Sequence, residues 1–262
     1  MSSPAILRPF RACSALLLAL TAVATHAQVV NVERLRLDGT EQGWSGSLAA
    51  NADLRRNQSS VFTLGGNAHL QHQRDSNTVL LVGQTGFVKA EGSELVNFAF
   101  GHLRYSHFVT EWLTLEAFTQ LQQNRVNGIA SRWLIGAGPR FRVADEEALQ
   151  LYVGGTVMRE REREVVDSIP VHRDVRLSAY FAGSYTPESA EWITIASTTY
   201  FQPRLGRFAD IRISSDTDLS VQLRANLSLV TTFNVVYDAR PPVGLERTTY
   251  AFLNGLRLRF GG

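Results

Sequence analysis

The chain has 262 residues, 44% of them hydrophobic, with 26 Lys and Arg against 24 Asp and Glu and one cysteine. That charge balance gives no argument for nucleic acid as a partner, and a lone thiol supports neither a disulfide framework nor a thiolate metal site. The length suits one large all-β domain.

The first element in chain order is a secretory signal over residues 1–27. Arg8 and Arg11 form its positive start, Ala12 to Ala24 its apolar run, and Thr25-His26-Ala27 its cleavage site, leaving Gln28 as the new terminus. The run is shorter than the roughly 20 apolar residues of a spanning helix. Cleavage would remove Cys13 and both arginines, so residues 28–262 carry equal numbers of basic and acidic residues and no cysteine nucleophile. No later stretch is apolar for long enough to be a spanning helix, so a membrane crossing here must be made of strands.

Twelve strand segments follow in series, at about 43–55, 60–72, 77–89, 96–108, 112–124, 132–143, 149–163, 173–186, 191–204, 209–223, 227–239 and 249–260. Most reach the roughly 9–11 residues that a tilted spanning strand needs. The pattern predicts an all-β fold: a transmembrane antiparallel up-and-down β-barrel of about 12 strands, with ten as the alternative count, occupying 28–262. In the first strand Trp44, Leu48, Ala52 and Leu54 oppose Ser45, Ser47, Asp53 and Arg55. In the sixth, Trp133, Ile135, Pro139 and Phe141 oppose Gly136, Gly138, Arg140 and Arg142. The eighth and tenth alternate in the same way, whereas the third and fourth alternate poorly. Side chains on a strand point to opposite faces in turn, so such strands are oily on one side and polar on the other.

Connections are expected to alternate. Short turns fall near 74–77, 110–111, 144–148, 187–190 and 224–226, and generally longer loops near 89–95, 125–131, 166–172, 205–208 and 240–248. Short inner turns and longer outer loops are the habit of membrane barrels. Trp112, Tyr185 and Trp192 flank the inner turns, where an aromatic belt belongs.

The last strand, Thr249 to Phe260, places Tyr250, Phe252, Leu256, Leu258 and Phe260 on one face and small or cationic residues on the other. Together with G-W-S-G-S-L at 43–48, E-W-L-T-L-E-A-F at 111–118 and G-A-G-P-R-F-R at 136–142, the terminal L-R-L-R-F resembles the YdiY-like salt-induced outer-membrane proteins, a domain-of-unknown-function family. That resemblance implies a barrel in the bacterial outer membrane and supplies no catalytic residues. The chain end is also similar to the signal read by the barrel-assembly machinery: Gly255 and Phe260 match its glycine and terminal aromatic. Leu258 stands where an aromatic is usual, and two glycines follow Phe260.

The polar faces nominate a lumen lined by Asp53, Glu116, Arg140, Arg142, Arg176, Arg204, Arg212, Asp216, Arg257 and Arg259, with His69, Gln120, Gln122 and Tyr200. A barrel of this size lies between those filled by side chains and open porins. Two readings follow: a narrow channel for small solutes or ions, or a closed structural barrel connected with osmotic stress. The run R-E-R-E-R-E at 159–164 sends Arg159, Arg161 and Arg163 to the oily face. There they are candidates for lipopolysaccharide phosphates, since a planar guanidinium suits bidentate contact with phosphate. The plainer reading of the run is a solvated strand extension with cross-strand ion pairs.

A lipid-modifying barrel enzyme is a third reading. His69, His102, Ser106 and His107 supply residue types without a compelling spacing. Glu160 with Glu162, or Asp216 with Asp218, offers only two of the 6–8 oxygens that calcium takes. The expectation is thus a non-enzymatic barrel with no cofactor and no metal. Its partners would be outer-membrane lipid, lipopolysaccharide, the assembly machinery and, in the channel reading, small solutes.

Overall fold

The computed structural model describes residues 42–56, 60–165, 171–242 and 244–258. Twelve strands follow one another: β1 (Gly43–Arg56), β2 (Ser60–Arg74), β3 (Asn77–Ala90), β4 (Ser93–Phe108), β5 (Leu113–Asn124), β6 (Ile129–Asp145), β7 (Leu149–Glu164), β8 (Val171–Tyr185), β9 (Ile193–Arg204), β10 (Arg207–Arg224), β11 (Leu227–Asp238) and β12 (Thr248–Leu258). Each pairs antiparallel with the next in a single sheet, an up-and-down order without crossovers. Residues 1–41 and 259–262 lie outside the described residues, and with them the signal segment, Arg259 and Phe260.

Burial is inverted relative to a water-soluble protein. Among the described residues, buried polar and charged side chains outnumber buried hydrophobic ones by more than two to one. Trp133, Ile135, Val153, Val157, Phe181 and Phe201 face outward and exposed, while Arg132, Arg140, Glu160, Arg176 and Arg212, at positions of opposite parity, are buried. A polar interior inside an apolar exterior is the arrangement of a barrel whose outside meets lipid. β3 is the exception that explains its poor alternation. Leu80 and Val82 turn inward onto Phe100, and Val79 and Leu81 turn outward, so both faces are apolar.

Most of the strands run longer than the expected segments, and several expected loops shrink to tight turns. β3 and β4 are joined by Glu91 and Gly92 alone, at φ 49° and 85°. Two consecutive positive φ values make the kind of two-residue turn that matches strand twist. β9 and β10 are likewise joined by Leu205 and Gly206, with φ 83° at the glycine. The expected longer loops near 89–95 and 205–208 are therefore tight turns. Conversely, the turn expected to be short at 187–190 widens to a connection over 186–192 that contains a 3-10 turn at Glu188–Ala190. Loop length does not separate the two ends, because a glycine of positive φ lets the ladder run to its tip.

The sheet curls. The 239–247 connection reaches the turn between β5 and β6 closely enough that a methyl group on Gly128 would come within 2.8 Å of Pro242. β1 and β12 are the two sheet edges, and no pairing joins them among the described residues. At the end carrying these termini, Trp112 stacks on Phe141 with centroids 6.1 Å apart, and Tyr185 and Trp192 are exposed. The expected aromatics thus lie on the outer surface at one end of the strands.

Candidate functional site

The interior is organised in two charged layers. The first lies in the half of the sheet away from the termini. The two-residue period of β6, β7, β8 and β10 brings Arg132, Glu160, Glu162, Arg176, Asp210 and Arg212 to the inner face. Arg212 is its hub. Its Nη1 donates to Glu160 Oε2 at 2.6 Å, its Nη2 to Glu162 Oε2 at 3.1 Å and its Nε to Asp238 Oδ2 at 2.8 Å. Arg132 donates from Nε to the same Glu162 oxygen at 2.6 Å. Arg176 donates from Nη2 to Asp210 Oδ1 at 2.9 Å, caps two backbone carbonyls with Nη1, and lies 3.7 Å from Glu160 Oε1. Arg204 flanks the layer, 2.7 Å from Asp174. The result is a continuous chain of alternating charge from β6 to β11. A buried carboxylate is tolerated only when such partners replace its water.

The second layer centres on Glu116. Arg104 lies 3.5 Å and Arg140 3.9 Å from its carboxylate, while Ser106 and Tyr180 donate hydroxyl hydrogen bonds at 3.3 and 3.1 Å. The Arg140 guanidinium also sits 4.0 Å over the Tyr152 ring, an additional cation–π attraction. Between the layers, His102 Nδ1 and Gln120 Oε1 are 3.2 Å apart and Gln202 donates to Ser178 at 3.0 Å. The remaining gap measures about 30 Å³, room for a water or two.

Of the residues nominated from sequence, Glu116, Arg140, Arg176 and Arg212 are buried inside. Arg204 is partly exposed beside Asp174. Arg142 shares the parity of Arg140 but lies near the end of β6, just before a β-bulge, and is exposed beside Asp145 at 2.7 Å. Asp53 pairs with Arg55 at 2.7 Å on edge strand β1, and Arg257 is exposed on edge strand β12. Of the other nominees, Gln120 and Gln122 are buried, as is Tyr200, which packs against Tyr180 with centroids 5.4 Å apart. Asp216 accepts a hydrogen bond from Asn234.

Sequence reasoning missed Arg104, Arg132, Asp174, Asp210 and Asp238. Four of them were legible in principle. Arg132 shares the parity of Arg140, Arg104 that of His102, Asp174 that of Arg176, and Asp210 that of Arg212. Asp238 ends β11, a strand with no nominated residue to set its face. Glu160 and Glu162, weighed as calcium ligands, instead hold arginines. Ser106 is bonded to Glu116 and His107 Nδ1 lies 2.9 Å from Asn77 Oδ1, so neither forms a serine–histidine pair in this geometry. Arg159, Arg161 and Arg163 are exposed on the outer surface.

Fold and interior together define an antiparallel up-and-down β-barrel protein with a charged interior. A family model described as a protein of unknown function, DUF481, matches residues 46–260, and the chain belongs to that family. No curated protein matches it. Among solved structures it is similar to one titled as the NanC porin in a rhombohedral crystal form, at 8% identity and a TM-score of 0.44, covering 81% of this chain and 99% of that one.

Proposed function

We propose that residues 28–262 form a non-enzymatic barrel of the bacterial outer membrane whose interior is held closed by its ion pairs. Export by the 1–27 signal and insertion through the Gly255–Leu258–Phe260 end complete this reading. One observation carries it: the unbroken sequence Arg132–Glu162–Arg212–Glu160–Arg176–Asp210, every member buried. An open pore needs polar side chains that face water, and these face one another.

The test is conductance of the refolded protein in a planar bilayer, with heat-modifiable electrophoretic mobility as the check on folding. A folded but silent protein supports the closed reading. Discrete, reproducible steps from the unmodified chain overturn it. The narrow-channel reading is favoured by one feature, a cavity of about 130 Å³ lined by Arg140, Gln150, Tyr152, Thr198 and Asp216. If steps occur and Arg140→Ala shifts the reversal potential in a salt gradient, that cavity is part of the path.

A further inference from the structure

The run 159–164 divides its charges between two faces. Glu160 and Glu162 are drawn inward onto Arg212 and Arg132, which leaves Arg159, Arg161 and Arg163 on the outside without the acids adjacent to them in sequence. β8 adds a fourth cation, because Arg161 stands directly opposite Arg173 and both are exposed. Like charges directly opposed across two strands destabilise the pair. Among the described residues, no ion pair joins any of these four arginines to a carboxylate. They form an electropositive patch that an anion would relieve.

Beside that patch lies a groove of about 640 Å³ on the outer face. Arg161 and Arg163 form one wall, Leu121 and Trp133 stand near its middle, and Ala99 and Gly101 form a floor with almost no side chain. One pairing row crosses it: Gly101, Leu121, Trp133, Arg161, Arg173. A side chain built on Gly101 would meet nothing within 4 Å, so the floor is open. Trp133 is fixed at its polar edge, since its Nε1 donates to Thr119 Oγ1 at 2.9 Å. Toward the other end of the strands the same surface continues as exposed Ile135, Val157 and Val175. Cations at one level, an indole beside them and hydrocarbon beyond match an amphiphile with a phosphate head and acyl tails.

We infer that this groove is a binding site for a phosphorylated, acylated glycolipid of the outer leaflet. Arg161 and Arg163 grip a phosphate, and an acyl chain lies over Ala99 and Gly101 against Leu121 and Trp133. The inference rests on the outer-membrane reading above, oriented with this end of the strands outward. Arginine serves here better than lysine because its planar fork makes two parallel hydrogen bonds to one phosphate.

The experiment is native mass spectrometry of the refolded full barrel in detergent, titrated with hexa-acylated diphosphoryl lipid A, its dephosphorylated form and phosphatidylglycerol. The diphosphoryl lipid should bind at least about tenfold more tightly than either other, the scale of one charge-assisted contact. Arg161→Gln with Arg163→Gln should remove that preference. Gly101→Leu, which alters no charge, should weaken all acylated ligands by filling the floor. Equal binding of the three lipids, or a preference untouched by both variants, overturns the site. Heat-modifiable mobility separates the two levels. A protein that never acquires a folded form in bilayers defeats the outer-membrane reading and the site with it, whereas a folded barrel that fails to discriminate defeats the site alone.

Discussion

Arg212 on β10 and Glu160 on β7 meet at 2.6 Å although two whole strands lie between them in the sheet. Such a contact is possible only if the sheet curls tightly enough for inner faces to oppose one another. The pair is therefore a measure of the sheet's curvature. The same guanidinium reaches Glu162 and Asp238, so three carboxylates share one cation.

Replacing that cation should be costly. Arg212→Met leaves three buried acids short of their shared partner, and the loss of stability is expected to be about 3–5 kcal/mol. Arg212→Lys should recover only part of it, because one ammonium cannot present three separated nitrogens. Urea unfolding in lipid vesicles measures both; a shift below about 1 kcal/mol for the methionine variant would show that the hub is not structural.

Neutralising the acids tests closure rather than stability. Glu160→Gln combined with Glu162→Gln leaves Arg132, Arg176 and Arg212 in excess positive charge within the interior. The expected result is the appearance of conductance in planar bilayers with a preference for anions, read as a reversal potential in a salt gradient. A double variant that folds and stays silent would place the closure elsewhere.

The mouth connection has its own probe. Gly128 has φ 71°, and a Cβ there would stand 2.8 Å from Pro242. Gly128→Ala combines a left-handed backbone, costing about 1–2 kcal/mol, with a collision against the 239–247 segment. Trypsin cleavage after Arg247 should accelerate while the strands stay protected. Unchanged cleavage would mean that the segment does not rest on this turn.

Inside the sheet, Gly138 lies so close to β7 that a Cβ would fall 2.0 Å from the Gly155 carbonyl oxygen. Pro139 follows it and offers no backbone N–H, which interrupts the β6–β7 ladder and lets the strands crowd together. Gly138→Val should abolish the heat-modifiable folded form. Gly155→Ala is the control, since a methyl there meets nothing within 4 Å and should be tolerated.

The sequence by itself determined the series of about twelve strands, their boundaries to within about three residues and the face of most side chains. Alternation is a local property, set by the pleat, and needs no knowledge of neighbours. It therefore placed Glu116, Arg140, Arg176 and Arg212 on the inner side, and Arg159, Arg161 and Arg163 on the outer. Loop lengths were less legible, because a glycine of positive φ at a strand end extends the ladder without altering the pattern, as at Gly92 and Gly206. Arg142 keeps the parity of Arg140 but lies near the strand end, where its side chain reaches Asp145. Only the tertiary structure decided which inward charges meet. Arg212 lies 52 residues from Glu160, and their encounter depends on how far the sheet curls over β8 and β9, a sum of twist and register across several strands that no single segment records.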